Sequence, residues 1–173
     1  MTEPWTKPIR LNELGRGGLT LRLEPDADQR AALAKQLLLV SLPSLSADLT
    51  VKPWLDGAEI TGRFRALVEQ TCGISLETFE QPVEGEIQVR LLPSGSPHAQ
   101  PAQGGEVELD LEAPDPPDLL EHDHFDLAAY VVEHLGLEID PFPRKPGVEF
   151  DYAPPTEEVS PFAVLRKLTD PKD

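Results

Sequence analysis

Residues 49–68 read LTVKPWLDGAEITGRFRALV, and this stretch carries the clearest hairpin signal of the chain. Leu49 and Val51 begin an alternating run of apolar residues, which is the pattern of a half-buried strand. The dipeptide Asp56-Gly57 follows, and such dipeptides supply positive φ angles in tight hairpin turns. The returning strand carries its apolar residues on one face: Ile60, Phe64, Ala66 and Val68. The stretch therefore predicts two antiparallel strands that meet at Asp56-Gly57.

Three other segments alternate in the same way and predict further strands. Residues 19–23 form a short one, which Pro25 ends. A second strand carries four apolar residues on one face: Val83, Ile87, Val89 and Leu91. In the third, residues 106–112, every second residue is acidic: Glu106, Glu108, Asp110 and Glu112. Together with the hairpin, these segments make five strands.

Helix signals occur at three places. Asp26 stands three residues before Gln29, which is the spacing of a capping box, so we expect a helix from Asp26 to Leu39. Asp126 precedes a run with apolar residues on one helical face, which predicts a helix from Leu127 to Leu135. Near the C-terminus, Ser160 followed by a proline predicts a short helix over residues 161–168.

These elements predict a single α+β domain over residues 1–173. We expect an antiparallel sheet of five or six strands that is curled or even closed into a barrel-like shape. Two main helices pack at its open sides, and a short helix follows near the C-terminus. Residues 93–105 are rich in Ser, Gly, Pro and Gln and predict a mobile loop. Residues 112–125 predict an acidic linker, and residues 144–173 a largely extended tail that contains the 161–168 helix.

The charge of the chain is large and unevenly placed. The 173 residues carry a formal net charge of −16 at pH 7, and 39% of them are hydrophobic, which is enough for a core. No Lys or Arg occurs from Leu91 to Phe142. Such a surface repels phosphate and attracts basic proteins, so unaided nucleic-acid binding is not the first expectation. The alternative is a solvated surface whose charge only keeps the protein soluble.

The single cysteine, Cys72, excludes an internal disulfide and a four-thiolate metal site. It is either a reactive thiol exposed at a turn or a small buried apolar residue, and burial is the commoner role for a lone cysteine. The first ten residues contain prolines and charges where a signal peptide has an apolar run. No window approaches the roughly 20 apolar residues of a membrane helix, so we expect a cytoplasmic protein without a membrane partner.

Few residues suggest chemistry. The glycines around Arg16 lead into a strand rather than a helix, so they predict a turn and not a phosphate loop. His122 and His124 could bind a metal together with Cys72 or His134, but their spacing matches no recognised site, and an acidic solvent loop is the simpler interpretation. No serine stands in a nucleophile-elbow motif. We therefore expect no enzymatic activity, no cofactor and no stoichiometric metal.

Two surfaces remain as candidates for binding. The first is acidic, would take a basic protein, and comprises Glu106, Glu108, Asp110, Glu112, Asp126 and Glu133. The second would contact RNA directly through the arginines of the first half: Arg10, Arg16, Arg22, Arg63 and Arg65. We favour the acidic surface, because its alternation in residues 106–112 predicts an ordered row of charge.

Several motifs, which together cover most of the chain beyond Leu49, resemble the YceD family, the large ribosomal RNA subunit accumulation proteins. They comprise Trp54-Leu55-Asp56-Gly57, Val68-Glu69-Gln70-Thr71-Cys72, Phe79-Glu80-Gln81-Pro82-Val83, the Asp126-Leu127 block through Pro141, and Ser160-Pro161-Phe162-Ala163-Val164-Leu165. Many members have Cys-x-x-Cys where this chain has Cys72-Gly73-Ile74-Ser75, so Ser75 replaces the second thiol. The resemblance implies a role in ribosome biogenesis without established catalytic residues.

Together, the residues and the resemblance predict a non-enzymatic assembly factor for the large ribosomal subunit. We expect the acidic surface between Glu106 and Asp140 to bind a basic ribosomal protein, alone or in a pre-ribosomal particle, and to shield it until ribosomal RNA competes it away. The alternatives are a direct RNA-binding module and a metal-binding protein that uses His122 and His124.

Overall fold

The computed structural model describes residues 5–99 and 115–150. In these ranges it contains seven strands, two α-helices and a single 3₁₀ turn at Leu11–Glu13. The elements in chain order are β1 (Pro8–Arg10), β2 (Leu19–Leu23), α1 (Ala27–Gln36), β3 (Ser41–Trp54), β4 (Gly57–Thr71), β5 (Thr78–Pro93), β6 (Asp118–Leu120), β7 (His124–Asp126) and α2 (Leu127–Glu138). The α+β class predicted from the sequence is confirmed.

The main sheet has five strands in the order β2-β3-β4-β5-β6, and β1 pairs with β7 in a separate two-stranded sheet. Strands β2 to β5 are antiparallel, as predicted, but β6 runs parallel to β5. The fifth strand is therefore Asp118–Leu120, whereas the predicted strand at 106–112 lies outside the described residues. Within the described ranges the edge strands β2 and β6 do not pair, so no closed barrel forms and the barrel-like shape is not confirmed.

The β3–β4 hairpin confirms the strongest sequence signal but shifts its turn. Trp54 pairs with Gly57, so the two turn residues are Leu55 and Asp56, and the positive φ, 53°, belongs to Leu55. The prediction that Asp56-Gly57 supplies the positive φ is wrong by one residue. Gly57 is needed for another reason: a Cβ there would lie 1.9 Å from the carbonyl oxygen of Leu91. The glycine lets β5 approach the start of β4.

Both main helices begin where the sequence predicts. Asp26 accepts a hydrogen bond from the Gln29 amide at 2.8 Å, and the Gln29 side chain accepts one from the Asp26 amide at 3.0 Å, which completes the capping box. α1 ends at Gln36, before the predicted Leu39, and Leu38 adopts a left-handed φ of 57°. α2 runs three residues beyond the predicted Leu135.

The core lies between one face of the main sheet and the two helices, with α1 against β3 and α2 against β5. Its largest fully buried side chains include Phe64, Leu49, Ile60, Ile87 and Leu135. Gly85 on β5 faces the Phe64 ring, because a Cβ there would lie 2.7 Å from Phe64 Cε1. This packing fixes α2 relative to β5, and the space between them forms the candidate site.

Two segments predicted as loop and linker contain hydrogen bonds or strands in their described parts. The start of the predicted 93–105 loop is hydrogen-bonded, since Ser96 Oγ donates to Asp56 Oδ1 at 2.8 Å, while residues 100–105 lie outside the described part. The 112–125 linker contains β6 and the beginning of β7. Of the 144–173 tail, only residues 144–150 are described, and the predicted 161–168 helix is not among them.

Candidate protein-binding site

A cavity of about 550 Å³ opens between β5 and α2, and we call it the β5–α2 groove. Three α2 residues at helical spacing form one wall: Tyr130, Glu133 and His134. The opposite wall is formed by β5, and one end by the segment that leads into β6. The lining residues from these two parts are Glu86, Gln88, Val89, Arg90, Asp115, Pro116 and Asp118.

The groove carries negative charge that the described residues do not neutralise. Asp115, Asp118 and Glu133 line it, and no Lys or Arg in residues 5–99 or 115–150 lies within ion-pair distance of these three carboxylates. Among the described lining residues the one Lys or Arg is Arg90, and it is already engaged: its Nε donates to Glu59 Oε1 at 2.9 Å. The Arg90 guanidinium also stacks 5.2 Å from the centre of the Trp54 ring. The groove therefore favours a cationic ligand.

Hydrogen bonds set the polarity of the α2 wall. The Tyr130 hydroxyl donates to Asp118 Oδ2 at 3.3 Å. Burial of the phenol, followed by the Asp118 and Glu133 carboxylates, raises the pKa of Tyr130 well above its ordinary value, so the phenol remains neutral. His134 Nδ1 lies 2.8 Å from the Tyr130 carbonyl oxygen, which requires Nδ1 to carry a proton and act as the donor.

The predicted acidic residues are only partly described. Glu106, Glu108, Asp110 and Glu112 lie outside the described residues. Asp126 is used inside the fold, because Oδ1 caps α2 by accepting from the Ala128 amide at 3.0 Å and accepts from the Lys7 amide at 2.7 Å. Glu133 is exposed on the wall of the groove. Of the predicted set, Glu133 is thus the described member that lines the cavity.

Sequence reasoning missed the other groove residues. The α2 wall could have been found, since Tyr130, Glu133 and His134 stand at i, i+3 and i+4 of a helix that the sequence predicts. The β5 wall and the Asp115–Asp118 segment could not, because their approach to α2 depends on tertiary packing.

Three of the five arginines of the alternative RNA-binding surface are paired with carboxylates among the described residues. Arg22, Asp48, Arg63 and Glu86 occupy one cross-strand row over β2, β3, β4 and β5. The distances are 3.7 Å from Arg22 Nη1 to Asp48 Oδ2, 2.9 Å from Arg63 Nη2 to Glu86 Oε1, and 3.7 Å from Arg65 Nε to Glu84 Oε2. We call this row, with Arg65, Glu84 and the Arg22 partner Glu24, the charge ladder.

The charge ladder contains three arginines and four carboxylates, so it has no net positive charge. Arg10 lies in β1, outside the main sheet, and Arg16 lies in the turn before β2. The structure therefore gives three of the five arginines acidic partners that direct RNA contact would have to displace.

The two histidines proposed as metal ligands stack on each other. Their ring centroids are 5.6 Å apart with an interplanar angle of 8°. His124 Nδ1 lies 3.4 Å from Asp123 Oδ1. Among the residues that the structure describes, no three or more potential ligands converge on a metal position.

Cys72 is fully buried, and its sulfur is a hydrogen-bond acceptor. The amides of Ile74 and Ser75 approach Sγ at 3.4 Å each, and the Lys145 amide at 3.3 Å. Hydrogen bonds from Ser75, first its side chain and then its amide, and from the Lys145 amide lower the pKa of the Cys72 thiol to about 6. The buried prediction is confirmed, but the residue also holds the segment after α2 against the β4–β5 turn, where Gly73 N donates to the Pro143 carbonyl at 2.9 Å.

Comparison with known proteins gives the family of the chain independently of this geometry. No helix in the described part of the chain is long and apolar enough to span a membrane. No curated protein and no solved structure matches the chain. The model of one family matches residues 60–169, a range that includes β4 from Ile60 onward, β5, α2 and the groove between β5 and α2. Because this match covers more than half of the chain, the protein belongs to the YceD family, described as large ribosomal RNA subunit accumulation proteins.

Proposed function

We propose that the protein is a non-enzymatic assembly factor that binds a basic protein of the large ribosomal subunit, free or in a pre-ribosomal particle. Membership of the YceD family gives the general role, the accumulation of large-subunit ribosomal RNA. The proposal adds the partner and the surface. The observation that carries it is the set of carboxylates in the β5–α2 groove, Asp115, Asp118 and Glu133, which lack cationic partners in the described ranges.

Electrostatics favours a protein partner over RNA. RNA binding depends on protein cations that neutralise the phosphates. The stretch from Leu91 to Phe142 contains no Lys or Arg, so its net negative charge repels the phosphates. A Lys/Arg-rich ribosomal protein would be attracted, and the attraction would speed their encounter. While bound, its cations would be neutralised and kept from premature contact with RNA. Ribosomal RNA, with a far denser negative charge, would then displace the factor.

Direct RNA binding through the arginines is the weaker candidate. In the charge ladder, Arg22, Arg63 and Arg65 already have carboxylate partners. Phosphate binding there would break these ion pairs and bring RNA next to four acidic side chains.

A pull-down with two matched variants tests the proposal. In one variant, Asp118→Asn with Glu133→Gln removes two charges from the groove, and in the other, Glu24→Gln with Glu84→Gln removes two from the charge ladder. Affinity capture from lysate, with and without nuclease, should retain a basic large-subunit protein on the wild type and on the ladder variant after nuclease treatment. The groove variant should lose it.

The opposite pattern supports RNA binding. In the ladder variant Arg65 loses its partner Glu84, and Arg22 keeps only Asp48. If nuclease removes the captured proteins, and if this variant captures more RNA than the wild type, the proposal is wrong.

A further inference from the structure

Among the described strands, part of the β5 edge that faces away from β4 is unpaired beside the groove. Strand β5 pairs with β4 from Thr78 to Leu91, without a bulge. On its other edge, β6 pairs only with Leu91, Leu92 and Pro93. Within the described residues, the Thr78–Arg90 part of this edge therefore has no strand partner.

The hydrogen bonds at both ends of β5 show which residues point to this edge. Glu77 O accepts from Cys72 N, so residue 77 faces β4, while Ser94 N donates to Leu120 O and so faces β6. Backbone groups of successive residues in a strand alternate between its two edges. The N–H and C=O groups of the even-numbered Glu86, Gln88 and Arg90 therefore point to the open edge. Pro82, which has no N–H, has the same parity, as expected of an edge proline.

These three residues also line the β5–α2 groove. The groove thus has an open strand edge on one side and a helix wall, Tyr130, Glu133 and His134, on the other. Between them, Val89 is half-buried and offers an apolar contact at the base of the groove. An exposed strand edge beside a helix is a geometry that binds extended peptides by adding a strand to the sheet.

We propose that an extended Lys/Arg-rich segment of the partner protein adds as a strand to the β5 edge at Glu86–Arg90, within the β5–α2 groove. This inference rests on the proposed function and specifies how the basic partner binds. Backbone hydrogen bonds to Glu86, Gln88 and Arg90 provide the alignment. Alternate side chains of the segment face α2, where its Lys and Arg side chains form ion pairs with the carboxylates of Asp118 and Glu133.

Two synthetic peptides of equal charge separate strand addition from general electrostatic attraction. In the first, Lys and Arg alternate with valine, and in the second they alternate with proline, which cannot donate the backbone hydrogen bonds of a ladder. The valine peptide should bind the full-length protein about tenfold more tightly than the proline peptide. It should also slow amide exchange at Glu86, Gln88 and Arg90, measured by NMR or mass spectrometry.

A pair of variants tests the edge from the protein side. Gln88→Pro removes one N–H from the open edge and leaves the pairing with β4 intact, whereas Gln88→Ala shortens the side chain and keeps the N–H. Affinity for the valine peptide should fall about tenfold in Gln88→Pro and change less than about twofold in Gln88→Ala. If Gln88→Pro fails to fold, amide exchange in the wild type still shows whether the valine peptide binds to the β5 edge.

The outcomes distinguish this inference from the proposed function. If both peptides bind equally and without protection of the three amides, strand addition is wrong while binding of a basic partner stands. If neither peptide binds at low salt, the proposed function fails as well. Slow exchange of the three amides in the protein alone would overturn strand addition by a partner, because the chain itself or a second copy would then occupy the edge.

Discussion

Replacing Gly85 by alanine tests how closely α2 and the sheet are packed below the groove. An added Cβ would lie 2.7 Å from Cε1 and 2.8 Å from Cζ of Phe64, and 3.2 Å from Cγ of Glu138. Phe64 is only 1% exposed, so its ring has no free space into which it can turn. Overpacking of this kind costs about 1–3 kcal/mol. Removing a glycine from a strand returns about 0.5–1 kcal/mol.

With the middle of both ranges, the net loss of stability should be about 1 kcal/mol, which lowers the melting temperature by about 2–4 °C for a chain of this size. Urea unfolding followed by fluorescence of the two tryptophans measures it. Gly95→Ala is the matched control, since no atom lies within 4 Å of a Cβ there, and it should change stability by less than about 0.5 kcal/mol. A second variant, Phe64→Leu, should lower the cost of Gly85→Ala. Equal stability of the Gly85 and Gly95 variants would refute the packing argument.

Three further predictions concern a buried thiol, a helix cap and the acidic row. Because the pKa of Cys72 is lowered to about 6 in the folded state from 9.0, the folded protein binds fewer protons than the unfolded chain between these values. Stability should therefore rise with pH over that range. Thermal melts should show a flatter pH dependence in Cys72→Ser, and an equal slope would contradict the assignment. Asp26→Ala should cost about 1 kcal/mol in urea unfolding through loss of the capping box, and a neutral result would mean that the cap contributes nothing. Changing Glu106, Glu108 and Asp110 to Gln, Gln and Asn should leave the melting temperature nearly unchanged and flatten the salt dependence of partner binding, whereas a cooperative loss of folding would show that this row is structural.

The parts of the fold that the sequence predicts correctly are set by local chemistry. The capping box needs only Asp26 and Gln29, three residues apart, and its hydrogen bonds form within one turn. The β3–β4 hairpin needs only alternation on both sides of a short turn. Even there, the turn residues are Leu55 and Asp56 rather than Asp56 and Gly57. Gly57 instead accommodates the approach of Leu91 from β5, a contact between residues far apart in the chain.

The parts that the sequence does not predict depend on such distant contacts. The parallel pairing of β6 with β5 follows a long connection, and no local pattern in Asp118–Leu120 specifies its direction. The sulfur of Cys72 accepts a hydrogen bond from Lys145, and this contact fixes a segment that sequence reasoning treats as a tail. The charge ladder also depends on the exact turn: the observed turn at Leu55 and Asp56 places Arg63 opposite Asp48, whereas a turn at Asp56-Gly57 would place it opposite Thr50.

The proposed role of the groove carboxylates is to bind a basic partner by charge. The most direct test measures the affinity for the large-subunit protein that the pull-down retains, over a series of salt concentrations. The measurement compares the wild type, the groove variant and the ladder variant. Removing two charges by Asp118→Asn with Glu133→Gln should weaken binding about 2-fold to 30-fold at low salt and flatten the dependence, whereas Glu24→Gln with Glu84→Gln should preserve both. Identical affinity and salt dependence in the groove variant and the wild type would contradict the claim.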